Sequence, residues 1–246
     1  MRPDDRTNNA FVYCLAVAAQ RYGIRIIFTA AMSNHHHTGI EDPDGNYPAF
    51  LEHFHKLFAK CQNTLRGRWE NFWSSEQTSV VRLAEGDDIM AKMTYALSNP
   101  VKDGLVEKAH HWPGVSSLDA LAHAKALVAW RPKHFFREEG IMPESVSLPL
   151  SRPREFKDVP SKEFAARVVK AIQVAEENVR AERASFMVGR TTNFQVMQRQ
   201  TDLIEARLRR GQAVADYHKA VAQLQFLSGD ILSQYRVNVR PRGDRK

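Results

Sequence analysis

The chain has few cysteines and no long run of apolar residues. Cys14 and Cys61 both lie in apolar patterns with helical spacing, which is typical of buried thiols rather than of a disulfide. No segment approaches the roughly twenty apolar residues of a membrane span. The opening stretch MRPDDRTNNA lacks the apolar core of a signal peptide. These absences predict a cytoplasmic protein without a membrane partner.

Positive charge is concentrated in the C-terminal part of the sequence. Residues 1–150 contain 16 Lys and Arg against 17 Asp and Glu, a net charge of −1, whereas residues 151–246 contain 19 against 11, a net charge of +8. A basic region of this kind indicates a polyanionic partner such as nucleic acid, although a solvated, Arg-rich helical surface gives the same count.

Apolar spacing predicts an α+β core followed by a mainly helical region. Helices are expected from an N-cap at 7–9 to Gly23, over 49–66, from Asp87 to about Ser98 (ended by Asn99-Pro100), in SLDALAHAKALVAW, over 161–187 and over about 194–235. Strands or extended segments are expected in IRIIFTAAM, HHHTGI, GRWENFWSSEQTSVVRL and ESVSLPLSRP. The predicted division is a core at 1–118, a connecting segment at 119–160 and a basic helical region at 161–246.

Three consecutive histidines follow the first predicted strand. Alternate residues of a strand face the same side, so His35 and His37 are expected to point together and His36 the opposite way. Two imidazoles on one strand face form a common half-site for a divalent metal. Such a pair is an incomplete site, so a third ligand is expected elsewhere. His53 and His55 lie two residues apart on a predicted helix, point to different faces and are interpreted as incidental.

The helix predicted after Asp87 supplies candidates for the remaining groups. Its apolar positions form one stripe, and Tyr95 lies on the other side with Asn99 one turn later. A phenol can attack phosphorus and hold it covalently, and an amide oxygen can complete a metal site with two histidines. The same spacing also fits an ordinary surface tyrosine.

Two blocks of this sequence resemble those of a known family. AMSNHHHTGI resembles the His-hydrophobic-His motif of single-tyrosine transposases, and YALSNPVKDGLVEKAHHWPGVSS is similar to their catalytic-helix segment. Their order and spacing resemble the insertion-sequence-200-like superfamily, in particular the branch associated with repetitive extragenic palindromes. The resemblance covers roughly residues 1–118.

The resemblance implies a fold, a reaction and a set of partners. The implied fold is an antiparallel sheet flanked by helices, similar to the ferredoxin or RNA-recognition architecture. The implied assembly is a homodimer, in which the tyrosine and the histidines of one site come from the same subunit or from two. The reaction cuts and rejoins single-stranded DNA beside a hairpin, with Mg²⁺ or Mn²⁺, through a 5′-phosphotyrosine and a free 3′-hydroxyl. Carried onto this chain, His35, His37 and Asn99 match the metal ligands and Tyr95 matches the nucleophile.

Four basic residues are candidates for DNA contact. Lys92 and Lys102 flank the predicted site, where they are placed to hold phosphates. Arg66 and Arg68 lie with Trp69 in a predicted turn, a suitable place to contact a phosphate and a base. For each lysine taken alone, a solvated surface role is the better explanation.

The sequence departs from the family pattern at two points. The middle of the motif is His36 where the family has an apolar residue, so its ring must pack as a small aromatic whose nitrogens find partners. The family core also opens with a strand before the first helix, and this chain begins almost at that helix. We therefore expect the sheet to lack that first strand, which leaves a sheet edge exposed.

Three functions remain open from the sequence. The first is the transposase. The second is a degenerate or domesticated protein that binds hairpin DNA without catalysis, which the short N-terminus favours. The third is a zinc-dependent hydrolase, which is weaker because only Glu41 and Asp42 offer a carboxylate base near the histidines in sequence.

Overall fold

A computed structural model describes residues 1–83, 86–187, 221 and 223–225. The chain divides into two compact units, Met1–Ala181 and Glu182–Lys246. The first unit therefore includes the segment predicted as a connection and the start of the helical region. Most of the helix predicted over about 194–235 and the basic tail lie outside the described residues.

Two pairs of consecutive strands lie between helices along the chain. The helices are α1 (Asp5–Tyr22), α2 (Tyr47–Arg66), α3 (Gly86–Lys102), α4 (Leu118–Ala122) and α5 (Ser161–Met187), with short 3₁₀ turns at Ala109–His111 and Arg154–Phe156. The strands are β1 (Arg25–Ala31), β2 (His36–Glu41), β3 (Leu127–Trp130) and β4 (Ser145–Leu148). The chain order is α1-β1-β2-α2-α3-α4-β3-β4-α5. Each strand pairs antiparallel with its neighbour in sequence, which gives two small sheets in the described residues.

Helix α1 begins earlier than the sequence predicted. The side chain of Asp4 accepts a hydrogen bond of 2.9 Å from the backbone N–H of Thr7 and so caps the helix. The predicted cap at 7–9 is wrong because those positions already lie inside the first turns. The helix ends as predicted at Gly23, whose φ of 67° suits a residue without a Cβ.

The hairpin β1–β2 lies between two groups of helices. Ile27 is left over where Ile26 pairs with Ile40 and Phe28 pairs with Gly39, which marks a bulge. The bulge turns Ile27 and Phe28 to the same side, so the two faces of β1 contribute to different cores. One core holds Ile26 with α1, α2, β3 and β4.

The second core lies on the other face of the hairpin. Ile27 and Phe28 pack there against the apolar stripe of α3 and the first half of α5. The ring of Phe28 covers Gly39, where an added Cβ would come within 2.2 Å of a ring carbon. A larger residue at this position would displace the ring or the strand.

The second edge of β1 is paired rather than open. Its backbone exchanges hydrogen bonds with the segment 115–117: the N–H of Ala31 donates to the carbonyl of Val115 at 2.8 Å, and the N–H of Ser117 donates to Thr29 at 2.9 Å. The N–H of Ser151 donates to the carbonyl of Ile26 at 2.7 Å. The exposed edge expected from a missing strand is thus not found at β1.

The helix predicted over residues 117–130 was wrong for most of its length. Only α4 forms, and the chain turns at Ala124, whose φ is 50°. The residues that follow become β3, which pairs with β4 and packs on α1. The side chain of Asn9 binds both backbone groups of Trp130, at 2.7 and 2.8 Å, as a neighbouring strand would. The extended segment predicted around β4 was confirmed.

The strand predicted over 67–83 was also wrong. No strand forms there among the described residues, and two aromatic side chains anchor the segment on α2. Phe72 packs edge-on against Phe58 at 5.4 Å, and the indole N–H of Trp73 donates to the carbonyl of His55 at 2.9 Å. Phe72 and Trp73 thus pack on α2, whereas Trp69, Val80 and Val81 of the same segment are exposed.

Helix α3 runs past the predicted stop. Pro100 lies inside its last turn rather than after its end, and the helix continues to Lys102. Residues 98–101 are buried, so tertiary packing outweighs the loss of one backbone hydrogen bond at proline. The consequence for the site is that Asn99 stays on the helix.

The predicted class, an α+β fold with antiparallel pairing and flanking helices, is confirmed in this coarse form. The pairing is divided between two small sheets, where one sheet was expected. Both cysteines are free and buried, as predicted. None of the described helices has the length and apolar content to cross a membrane.

Candidate functional site

The alternation predicted for the three histidines is confirmed. His36 pairs with Ala31 and His37 with Ala30 across the hairpin, so their side chains leave opposite faces. His35 lies just before β2, and the carbonyl of His35 accepts a 2.8 Å hydrogen bond from Met32 that extends the pairing. The Nε2 atoms of His35 and His37 lie 3.2 Å apart on the α3 side.

Asn99 completes a cluster of three side chains. Its Nδ2 lies 3.2 Å from Nε2 of His35 and 3.3 Å from Nε2 of His37. The residue is 4% exposed, whereas the sequence pattern placed it beside Tyr95 on an open face. Burial arises because the last turn of α3 packs into the second core, next to the segment that follows it.

The three groups fit one another as hydrogen-bonding partners. One amide N–H₂ has two hydrogens, and each matches one imidazole lone pair when both Nε2 atoms are unprotonated. Rotation of the Asn99 amide by half a turn exchanges Nδ2 with Oδ1 and turns an oxygen toward the same place. The cluster thus offers two nitrogens and one oxygen to a common point.

Tyr95 lies at the open side of this cluster. Its ring meets that of His37 edge to face, with centroids 5.6 Å apart, and the residue is 42% exposed. The ammonium groups of Lys102 and Lys92 lie 4.6 and 5.8 Å from the centre of the Tyr95 ring. The structure therefore brings together the predicted nucleophile and the two lysines, as well as the three predicted ligands.

The environment favours a neutral His37. Burial lowers its pKa from the usual value, and the nearby charges of His35 and Lys92 act in the same direction. Asp103 acts in the opposite direction without reversing the shift. A neutral imidazole is the form that binds a metal, so His37 is available as a ligand at neutral pH.

Asn34 contacts the His35 ring, and this contact was not predicted from the sequence. Its Oδ1 lies 2.8 Å from Nδ1 of His35, on the side of the ring away from the cluster. The signal was present in the sequence, because asparagine directly precedes the histidines in the predicted turn. Its significance follows only when the direction of the His35 ring is known.

His36 occupies the opposite face and has different partners. Its Nε2 lies 3.0 Å from Nε2 of His55, and its Nδ1 lies 3.1 Å from the hydroxyl of Thr38. The rings of Phe11 and Phe54 meet it edge-on. Burial, and next the neighbouring histidines, lower its pKa to about 3. The expectation that His36 packs as a small aromatic is confirmed, and the interpretation of His55 as incidental was wrong.

Arg66 and Arg68 differ in their contacts within the protein. The guanidinium of Arg66 binds Asp4 at 2.6 Å and the hydroxyl of Thr7 at 2.8 Å, which ties the end of α2 to the start of α1. Burial raises the pKa of Asp4, but the hydrogen bonds from Arg66 and Thr7 outweigh it and hold the value at about 2. Arg68 is exposed beside Trp69, which is 98% exposed. Arg66 thus has a structural role, and Arg68 remains available to a partner.

Conventional metal clusters are absent from the described residues. No group of three or more His, Cys, Asp or Glu side chains there is arranged to hold a metal ion. The cluster at the end of α3 has only two such residues, and its third member is an amide. This donor set differs from a zinc site built on a carboxylate, and Glu41 instead pairs with Arg25 and Arg154.

Comparisons with known proteins returned nothing. No protein-family model, no curated protein and no solved structure matches this chain. The function therefore has to be argued from the geometry of the site and from the residues that form it.

Proposed function

We propose that this protein is a metal-dependent, single-tyrosine DNA transposase that cleaves and rejoins single-stranded DNA at hairpin sequences. One observation carries the proposal: His35, His37 and Asn99 converge within 3.3 Å, and the exposed Tyr95 lies against His37. Tyr95 and Asn99 lie more than fifty residues from the histidines in sequence, so their meeting is not a local accident.

The donor set fits a divalent cation. An amide oxygen suits Mn²⁺ and Mg²⁺, whereas imidazole nitrogens suit transition metals, so Mn²⁺ fits the mixed donor set better than Mg²⁺. Adjacent ligands of a six-coordinate cation with bonds of about 2.1 Å lie about 3 Å apart, close to the 3.2 Å between the two Nε2 atoms. His35, His37 and Asn99 would hold the ion, which supplies Lewis-acid polarisation of a phosphate oxygen.

The chain's own residues account for the remaining chemistry. The Tyr95 phenol loses its proton to solvent, its oxygen attacks phosphorus, and the bond from phosphorus to the 3′-oxygen breaks. The departing oxygen takes a proton from solvent, so the DNA keeps a free 3′-hydroxyl. The product is a 5′-phosphotyrosine whose bond energy supports rejoining without ATP. Lys102 and Lys92 place positive charge beside the Tyr95 ring, where they stabilise a phenolate and a bound phosphate.

The proposed function also implies a fold, an assembly and a DNA partner around this site. We propose a ferredoxin-like core that acts as a homodimer in the cytoplasm, with single-stranded or hairpin DNA as partner. Arg68 and Trp69 are suited to a phosphate and an unstacked base. The net charge of +8 over residues 151–246 supports a polyanionic substrate.

A second candidate is a protein that binds hairpin DNA without cutting it. One observation favours it: Asn99 already satisfies both imidazoles through Nδ2, so the cluster is stable as a hydrogen-bonded unit without a cation. In that case the basic surface functions and the tyrosine does not react.

A covalent-capture assay separates the two functions. The protein is mixed with single-stranded hairpin oligonucleotides from DNA flanking its own gene, labelled on the 3′ side of possible cuts, with Mn²⁺ or Mg²⁺. We expect a slowly migrating protein–DNA band on a denaturing gel, and we expect it to vanish with Tyr95→Phe or with a chelator.

Tyr47→Phe is the matched control. Tyr47 is 39% exposed against 42% for Tyr95, so the two residues are about equally exposed. Tyr47 lies at the start of α2, far in sequence from Lys92 and Lys102. The proposal is contradicted if the band survives Tyr95→Phe. A shift on a native gel with no covalent band supports the binding protein instead.

A further inference from the structure

The two ring nitrogens of His35 face different partners. Nε2 points to His37 and Asn99, and Nδ1 lies 2.8 Å from the side-chain oxygen of Asn34. The residues Ser33 and Asn34 form the loop of the hairpin, and the N–H of Met32 closes it by donating to the carbonyl of His35. The loop therefore holds the Asn34 amide beside the ring that follows it.

This contact selects one tautomer of the ring. A side-chain carbonyl oxygen can only accept, so the 2.8 Å contact requires the proton on Nδ1 of His35. The proton is then absent from Nε2, whose lone pair points toward the cluster. The same assignment leaves Nε2 of His35 able to accept from Nδ2 of Asn99 at 3.2 Å.

We propose that Asn34 is a positioning residue, which fixes His35 as the Nδ1–H tautomer and directs the Nε2 lone pair into the cluster with His37 and Asn99. The consequence for metal binding rests on the proposed function, whereas the tautomer does not. Metal-binding histidines commonly donate their other N–H to an oxygen, and loss of that partner weakens binding by about 10- to 100-fold.

Solvent limits how much metal affinity is lost when the Asn34 side chain is removed. Asn34 is exposed, so water can replace its oxygen when the side chain is removed. Water accepts from either tautomer without preference for one ring direction. We therefore expect a change at the lower end of the range, about 10-fold in metal affinity.

The first measurement is the tautomer of His35 without metal. Histidine rings labelled with ¹⁵N are observed in long-range ¹H–¹⁵N correlation spectra above neutral pH, and His35→Gln identifies the His35 signals. The wild type is expected to show the Nδ1–H pattern, and Asn34→Ala is expected to move it toward Nε2–H. Asn34→Asp keeps the accepting oxygen and should restore the wild-type pattern.

The second measurement is Mn²⁺ affinity by titration calorimetry on the same proteins. Asn34→Ala should bind about 10-fold more weakly than the wild type, and Asn34→Asp at least as tightly as the wild type. Asn63→Ala is the matched control, because Asn63 is a partly exposed asparagine on α2 whose side chain donates to the backbone carbonyl of Glu70. Its tautomer spectrum and affinity should not change.

The tautomer spectrum and the Mn²⁺ affinity test different claims. An Nε2–H pattern in the wild type, or an unchanged pattern in Asn34→Ala, overturns the role of Asn34 even when Mn²⁺ binds. If the tautomer changes as expected but the wild type binds no Mn²⁺, the positioning role stands and the proposed metal-dependent function is overturned.

Discussion

The two faces of β2 each carry histidine, but the surroundings of the rings differ. His37 shares an open cluster with His35 and Asn99 beside an exposed tyrosine. His36, the residue between them, is enclosed by aromatic rings and has partners on both nitrogens. The pKa of both is lowered, first by burial, and that of His36 falls to about 3.

The difference shows that the partners of an imidazole decide its role. His36 meets His55 and Thr38, which satisfy it as a neutral core residue. The lone pairs of His35 and His37 meet one amide, that of Asn99. The first arrangement supports the fold, and the second is the cluster that the proposed function assigns to a cation.

The largest expected effect is on the open face. His37→Ala removes one of three donors, so we expect Mn²⁺ binding to weaken by more than about 100-fold, measured by calorimetry. The free energy of unfolding should change by less than about 1 kcal/mol, because the residue is partly exposed. His53→Ala serves as the control, since the His53 ring packs against Tyr22 among the described residues. Unchanged Mn²⁺ binding in His37→Ala would contradict the assignment of this face.

The reciprocal experiment addresses the closed face. His36→Ala should lower the free energy of unfolding by about 2–4 kcal/mol, since it leaves a cavity among aromatic rings and an unpartnered His55. His36→Leu fills the space and should cost less. Urea unfolding followed by circular dichroism provides the measurement. If His36→Ala were as stable as the wild type, the contrast between the faces would be lost.

Acid should lower the stability of the protein mainly through His36. The pKa of His36 is about 3 in the folded protein against 6.5 in the unfolded chain, so the unfolded state binds more protons between these values. Stability should therefore fall as pH drops from about 6.5 toward 3, by up to a few kcal/mol. His36→Leu should show a shallower fall in unfolding experiments at stepwise pH. Parallel curves for the two proteins would show that His36 is not responsible.

The smallest expected effect concerns Gly39, which lies two residues after His37 on the same face of β2. The Phe28 ring occupies the space of a Cβ there. Gly39→Ala should destabilise the protein by about 1–3 kcal/mol as the ring is displaced. Gly45→Ala is a control for added volume, because an added Cβ there meets no atom within 4 Å, although its φ of 77° adds some strain. Thermal unfolding compares the two, and a loss at Gly39 no larger than at Gly45 would contradict the close contact.

Local patterns predicted much of the site but less of the fold. The alternation of the histidines and the one-turn spacing of Tyr95 and Asn99 follow from the periods of strand and helix, and both geometries were confirmed. Propensity failed where distant packing prevailed. Residues 67–83 look like a strand, yet Phe72 and Trp73 find better contacts on α2.

The helical pattern near residue 120 failed for a related reason. Val128 and Trp130 favour a strand when a partner is present, and β4 supplies that partner across the hairpin. Pro100 looked like a stop, but burial of the last turn of α3 keeps it helical. In both cases a partner elsewhere in the chain outweighed the local signal.

The sequence by itself determined which histidines face together and which residues of α3 lie one turn apart, because these relations depend only on backbone geometry. Tertiary structure alone decided that the end of α3 lies beside His35 and His37, that His36 meets His55, and that Arg66 pairs with Asp4 and Thr7 at the start of α1. Those contacts join residues distant in sequence, so they depend on how the two cores pack on either side of one hairpin.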